Sequence, residues 1–276
     1  MALAAVINYK YKVQGLPMKI LVTNDDGILS EGLWILVQEL KKIAKVTVVT
    51  PDRELSSIGT AVSLRQPLTI RKVKPMVPGV EAYSIDGTPS DSVILALGKL
   101  VKGKLDMVVS GINQGLNLGE DVHISGTVSA ALQGYLRGLP ALAISAPFGN
   151  KPSLSIAARV VAILVKKIVA TSLPTKIFLN VNLPDLPLAE IAGARITRLA
   201  RESHVNTVEE RNHGRHKYYW LVRERISEAT DNNTDIGAIE QGHISITPIY
   251  THRSDKPPSN ILNSLCADLL QQLRNE

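Results

Sequence analysis

The residues best placed to do chemistry lie where a short apolar run ends. Lys19-Ile-Leu-Val-Thr-Asn-Asp-Asp-Gly27 reads as a buried strand running straight into two carboxylates, Asp25 and Asp26, and a glycine. In a continuing strand the two side chains would point to opposite faces; to share a cation the chain must already have turned, which Gly27 permits. Adjacent carboxylates suit a hard divalent cation such as Mg²⁺ or Mn²⁺. The plainer reading makes one Asp a helix cap and leaves the other solvated.

Three further segments carry polar groups after apolar runs. Pro51-Asp-Arg-Glu-Leu-Ser-Ser-Ile-Gly59 offers the Ser56 and Ser57 hydroxyls and Arg53, and taken alone reads as an ordinary loop. Val108 to Gly119 carries Gly111, Gly115 and Gly119, which let backbone approach a ligand, and Asn113 and Asn117, which offer neutral oxygens or amide donors. No Gly-Lys-Ser/Thr ends this segment, which argues against a P-loop. Ser125-Gly126-Thr127 opens a helix, where backbone amides and two hydroxyls suit a phosphate, or where Ser125 is a plain N-cap. Gly87-Thr-Pro-Ser-Asp91 opens another, with Ser90 as its expected cap.

The elements that must position these groups follow from periodicity. Strands are expected at Lys19–Thr23, Lys45–Thr50, Asp106–Ser110, Ala141–Ser145 and Ile177–Val181, alternating with helices at Gly32–Ile43, Ser90–Val101, Ser125–Arg137 and Ser155–Ala170. This is the pattern of an α/β fold with a mostly parallel sheet. Leu68–Val73 and Ala82–Ile85 read as an inserted hairpin. After residue 190 the alternation stops: Ala194–Leu199, Lys217–Arg225 and His243–Ile249 read as strands, a polar stretch from Arg201 to His216 as a connector, and Ser259–Leu273 as one final helix. The expected division is thus an N-terminal extension at 1–17, a core at 18–190 and a smaller β-rich region at 191–276.

Composition narrows the class. The chain has 276 residues, 45% hydrophobic and 20% charged, as in ordinary globular proteins. No apolar run reaches the ~18 residues of a membrane-spanning helix, and the order of apolar and basic residues in 1–17 is wrong for a secretory signal. One cysteine, Cys266, suits a reducing compartment such as the cytoplasm, and its apolar neighbours make it a packing residue. The net charge of +6 suits an anionic ligand. Part of the excess is local: Arg195 to Arg225 holds eight Lys or Arg against four Glu. With only 4% aromatics, stacking platforms for single-stranded nucleic acid are scarce, so nucleic acid is not the expected partner.

Taken together, Asn24-Asp-Asp-Gly27, Pro51-Asp-Arg53 with Ser56 to Gly59, Gly87-Thr-Pro89, Ser110-Gly-Ile-Asn-Gln-Gly115, Asn117-Leu-Gly119, Ser125-Gly-Thr-Val128, Tyr218-Tyr-Trp220 and Gly242 to Pro248 resemble the SurE family of nucleotidases, the stationary-phase survival proteins. The resemblance covers almost everything from Met18 onward. It implies a Rossmann-like three-layer core and a C-terminal hairpin and helix exchanged between subunits of a homodimer or homotetramer. It also implies one divalent metal, Mg²⁺ or Mn²⁺, held by Asp25, Asp26, Ser56 and Asn113, with phosphate bound by Ser125, Gly126 and Thr127. The implied reaction is hydrolysis of nucleoside 5′- and 3′-monophosphates, with short polyphosphate as a further substrate in some members. One departure stands before Ser125: the family usually has an aromatic residue or His, and here Ile124 stands there, with His123 one place earlier. Two other readings compete: a nucleotide-binding regulatory module with a structural metal, and a phosphatase for a non-nucleotide metabolite.

Overall fold

The computed structural model describes residues 18–170, 177–201, 204–213, 216–225, 231–252 and 257–275; the expected extension at 1–17 lies outside them. Strand β1 (Lys19–Thr23) is followed by α1 (Glu31–Leu40), β2 (Lys45–Pro51), β3 (Ile70–Val73), β4 (Glu81–Ile85) and α2 (Pro89–Leu95), the last continuing into a wider π turn at Ala96–Leu100. Next come β5 (Met107–Gln114), a 3-10 turn at Gly119–His123, α3 (Gly126–Leu136), β6 (Ala141–Ala146), α4 (Lys151–Ala170) and β7 (Phe178–Asn182). The chain ends with β8 (Gly193–Ile196), β9 (His204–His213), β10 (His216–Arg225), α5 (Asp235–Glu240), β11 (His243–Pro248), α6 (Ser259–Cys266) and α7 (Leu269–Asn275).

Nine strands form one sheet in the order β3-β4-β2-β1-β5-β6-β7-β11-β8. The six from β4 to β7 are parallel, while β3 and β11 run antiparallel to their neighbours β4 and β7. From β1 the chain moves outward to β2 and β4 on one side; β5, β6 and β7 then build the other. The order reverses between β1 and β5, and ligands in such sheets bind at the crevice beyond the carboxyl ends of the strands at that reversal.

The parallel strands are buried along both faces, which is why they read as unbroken apolar runs. Helices α1, α4, α6 and α7 cover one face through Leu33, Leu36, Leu40, Leu154, Val161, Leu265 and Leu273. Helices α2 and α3 cover the other, with Val93 and Ala130 in one cluster and Val128, Ala131 and Tyr135 in the next. The result is the expected three-layer α/β architecture. Among the described residues, no helix is long and apolar enough to cross a membrane.

Several sequence expectations need correction. Helix α2 is capped by Thr88 and not by Ser90: the Thr88 hydroxyl accepts from the Asp91 amide at 3.0 Å while Asp91 accepts from the Thr88 amide at 2.9 Å. The reciprocal capping box was readable from a Thr three places before an acid. Helix α4 starts four residues earlier than its apolar period suggests, because Asn150 accepts from the Ser153 amide at its start. The connector from Arg201 to His216 is mostly strand β9, paired along its length with β10 in an antiparallel hairpin separate from the main sheet. Its residues from Thr207 to Asn212 are exposed, so no buried face printed the period of 2 on the sequence. The final helix is two helices, broken at Asp268, which has φ 58°. Strands β8 and β11 join the main sheet, so residues 191–276 complete the core as well as forming the hairpin.

Packing is tight where α3 meets the sheet. A methyl group on Gly134 would lie 2.5 Å from Val108 Cγ2 of β5. Gly134→Ala is therefore expected to destabilise the fold by about 1–3 kcal/mol despite the better helix propensity of alanine; urea denaturation measures it. Burial pushes the Cys266 thiol up to about 11, against a smaller opposite effect of Lys167. The folded protein should accordingly react with a thiol-disulfide reagent at pH 8 only slowly, and fully once denatured.

Candidate active site at the strand ends

The crevice between β1 and β5 gathers the polar segments. Beyond β1, Asn24 turns the chain by donating from Nδ2 to the Gly27 carbonyl at 3.0 Å. Gly27 has φ +88°, and a Cβ there would lie 2.8 Å from the backbone of Arg53. Glycine is thus required twice over, for its backbone conformation and for the close approach of the loop after β2. That loop is tied down on both sides: the Leu55 amide donates to the Asp25 carbonyl and the Gly59 amide to the Ile124 carbonyl, each at 2.8 Å. Ser57 within it has φ 57°, a left-handed conformation uncommon for a residue with a side chain. Ser56 and Ser57 are exposed, and Ser56 Oγ donates to Glu54 Oε1 at 2.7 Å.

Asp25 is only 4% exposed, and its Oδ1 accepts from the Thr127 hydroxyl at the start of α3. A Cβ on Gly126 would lie 2.8 Å from both Asp25 Cβ and Oδ2, so the start of α3 lies directly against this carboxylate. Ser125 is the N-cap: its Oγ accepts from the Val128 amide at 3.1 Å. The cap reading of Ser125 is therefore correct, and compatible with an anion site, because the hydroxyl that accepts from Val128 keeps its own proton to donate.

On the other side of β1, Thr23 pairs with Ser110 of β5. The sequence placed Asn113 in a loop after Ser110; β5 instead continues to Gln114, with a register shift between Ser110 and Asn113. Asn113 Nδ2 donates to the Gly115 carbonyl at 2.7 Å, leaving Oδ1 to serve as an acceptor.

The electrostatics are those of a crowded anionic pocket. Burial raises the pKa of the Asp25 carboxyl, with the Thr127 hydrogen bond opposing. Asp26 is pushed up to about 7, first by burial, then by repulsion from Asp25 and from Glu54, with Ser30 pulling weakly the other way. Buried Asp26 Oδ2 and Asn24 Oδ1 meet no hydrogen-bond donor among the described residues. Buried oxygens of this kind need a donor or a cation. The available groups are carboxylate, hydroxyl and amide oxygens, the set a hard divalent cation takes. Among the described residues no three His, Cys, Asp or Glu converge, so a zinc-type cluster is not what these residues form.

A family model described as Survival protein SurE matches residues 20–206. The 5′-nucleotidase SurE of Dehalococcoides mccartyi is 50% identical over 259 residues, spanning 93% of this chain and 98% of the relative. The chain belongs to the SurE family. The 5′-nucleotidase SurE of Legionella pneumophila is 44% identical over 256 residues, spanning 91% of this chain and all of the relative. The crystal structure of the SurE protein from Aquifex aeolicus matches with a TM-score of 0.73 at 33% identity, over 92% of this chain and 99% of that one.

Within this SurE fold, four supporting residues escaped the sequence reading. Glu54 acts on Asp25 and Asp26 by charge repulsion and receives the Ser56 hydroxyl, yet it sits in a loop with no periodic signal. Asn182 receives the Asn117 amide at 2.8 Å and donates to its carbonyl at 3.0 Å, and Asn180 donates to the same carbonyl at 2.8 Å. Their signal was available: two amides at a spacing of two in an otherwise apolar, fully buried strand. Asp235 receives the Gly119 amide at 2.7 Å and the Ala200 amide at 2.9 Å, a long-range tie with no local signature.

Two substitutions check this architecture. Thr127→Val removes the hydroxyl from Asp25 at nearly constant volume and should cost about 1–3 kcal/mol in stability; thermal denaturation reads it. Asp235→Asn cannot accept at both oxygens. Hydrogen exchange at Gly119 or Ala200 should therefore quicken in this variant while the sheet amides of β1 and β5 stay protected.

Proposed function

We propose that this chain is a metal-dependent phosphomonoesterase that hydrolyses nucleoside 5′- and 3′-monophosphates to nucleoside and phosphate. The observation that carries the reading is the adjacent pair of buried Asp25, set against the start of α3, and half-buried Asp26: one anionic half suited to a cation, one amide-rich half suited to an anion. The names of the relatives supply the nucleotide part of the substrate.

In this reading Asp25, Asp26, Ser56 and Asn113 hold one Mg²⁺ or Mn²⁺, which when bound neutralises phosphoryl charge and makes water a better nucleophile at neutral pH. Ser56 gives its proton to Glu54, so its lone pairs stay available as ligands. Asn113 gives its Nδ2 to Gly115, so its Oδ1 would be the atom left to hold a cation. Ser125 donates its hydroxyl proton and Gly126 its amide to the phosphoryl oxygens. Thr127 acts from the other side by fixing Asp25. Preorganised donors of this kind stabilise the charge that develops on the oxygens during in-line displacement.

We extend the reading to assembly and location. Hairpin β9–β10 carries Tyr218, Tyr219, Trp220 and Leu221 with more than half of each exposed, a surface suited to burial against a second copy in a homodimer or homotetramer. The cytoplasm is the proposed compartment. Short-chain polyphosphate is proposed as a second substrate, since its terminal phosphoryl group presents the same oxygens.

Asp26→Asn is expected to lower turnover of nucleoside monophosphates at least a hundredfold, with the circular dichroism spectrum and melting temperature near those of the unmodified chain. Treatment with EDTA should silence the enzyme, and Mg²⁺ or Mn²⁺ should restore it. A panel of phosphomonoesters assayed with each metal measures both. Full activity of Asp26→Asn in excess metal would refute the assignment.

A further inference from the structure

The chain has two phenylalanines, used in opposite ways. Phe178 is packed in the core at 1% exposure, whereas Phe148 is 82% exposed on the turn after β6. That turn sits at the site. It follows Ala146, which pairs with Gln114 and accepts the Gly115 amide at 2.8 Å, one and two residues beyond Asn113. Strand β6 lies two places from β1 in the sheet, so its end stands about 10 Å from that of β1.

The turn is held firmly. Pro147 before it is buried, Gly149 after it has φ +74°, and Asn150 donates from Nδ2 to Asp185 at 2.6 Å. On the β1 side, Leu29 follows the Asp-Asp-Gly turn and is 78% exposed. Glu31 and Lys151, the first residues of α1 and α4, form an ion pair at 3.2 Å that bridges the two loops. An exposed planar ring thus follows the strand that neighbours the Asn113 segment, and an exposed aliphatic side chain follows the Asp25-Asp26-Gly27 turn.

We propose that Phe148, flanked by Leu29, is the platform on which the nucleobase of the substrate stacks, and that it sets the preference for nucleotides over simpler phosphate esters. The proposal rests on the phosphomonoesterase reading above. A phosphate held between Asp25, Asp26 and the start of α3 leaves the sugar over the Asn113 loop and the base at the end of β6. Stacking accepts every base, because each has a π face, so the platform favours nucleotides as a class over any one base.

The test compares AMP with ribose 5-phosphate, which keeps the ester and the sugar and lacks the base, using the full chain with Mn²⁺. In Phe148→Ala, kcat/KM for AMP should fall roughly tenfold, mainly through KM, while that for ribose 5-phosphate changes less than about twofold. Phe148→Trp should keep or improve AMP hydrolysis. Equal losses on both esters, or no loss on either, would overturn the proposal. So would a changed elution volume on size exclusion accompanied by equal losses, which would assign the ring to a contact between copies. Equal use of AMP and ribose 5-phosphate by the unmodified chain removes the base platform and leaves the phosphatase standing. Hydrolysis of neither removes the phosphatase reading itself.

Discussion

Two adjacent carboxylates, one buried and one half-buried, govern the design of this protein. An isolated buried carboxylate is costly, and a second beside it more so, because each raises the energy of ionising the other. The chain accepts that cost at the ends of β1 and gathers oxygen and amide groups around it. The Thr127 hydroxyl steadies Asp25, and the loop after β2 is fastened to the Asp25 carbonyl. Asp26 is left with an oxygen that no described donor satisfies. A cation would relieve the repulsion within this pair, and the metal proposal rests on that electrostatic deficit.

The sheet makes such crowding possible. Each of the contributing loops leaves the carboxyl end of a strand, and parallel strands held about 4.8 Å apart deliver their loops to one edge in a fixed lateral order. The reversal of strand order between β1 and β5 opens the space into which they converge. Elements distant in sequence then lock the arrangement. A polar row in register across β5, β6, β7 and β11, running Asn113, Ser145, Asn182 and Ser245, lies level with the site. Asn182 and Asn180 grip Asn117 from beneath, and Asp235 ties Gly119 to the chain leading to the hairpin. Because these buried bonds exchange backbone groups of one loop for side chains of rigid strands, the loop has few alternative paths.

The C-terminal third has two roles in the fold. Strands β8 and β11 extend the main sheet, and α6 and α7 bury Leu262, Leu265, Leu269 and Leu273 against its α1/α4 face. The hairpin between them stands apart from the sheet with its aromatic residues in solvent, where Arg211 lies over the Trp220 ring at 5.6 Å. The ion pair between Arg223 and Asp121 at 2.6 Å links this hairpin to the turn that leads into Ser125. The hairpin's position and the start of α3 are therefore mechanically connected.

The sequence by itself determined the α/β class, the parallel strands and the segments that carry chemistry, because a strand buried on both faces must be apolar throughout and its polar end stands out sharply. It also determined, through several ordered motifs, the family to which the chain belongs. It did not determine the hairpin partner β9, whose exposed strand lacks alternation, or the break at Asp268. Nor could it show that Thr127 serves Asp25 across 102 residues, that Glu54 raises the pKa of both aspartates, or that Phe148 is exposed on the turn after β6. Those contacts depend on which strand lies beside which, and strand order is set by the packing of helices on the sheet. Tertiary structure alone brought the start of α3 and the loop after β2 against Asp25.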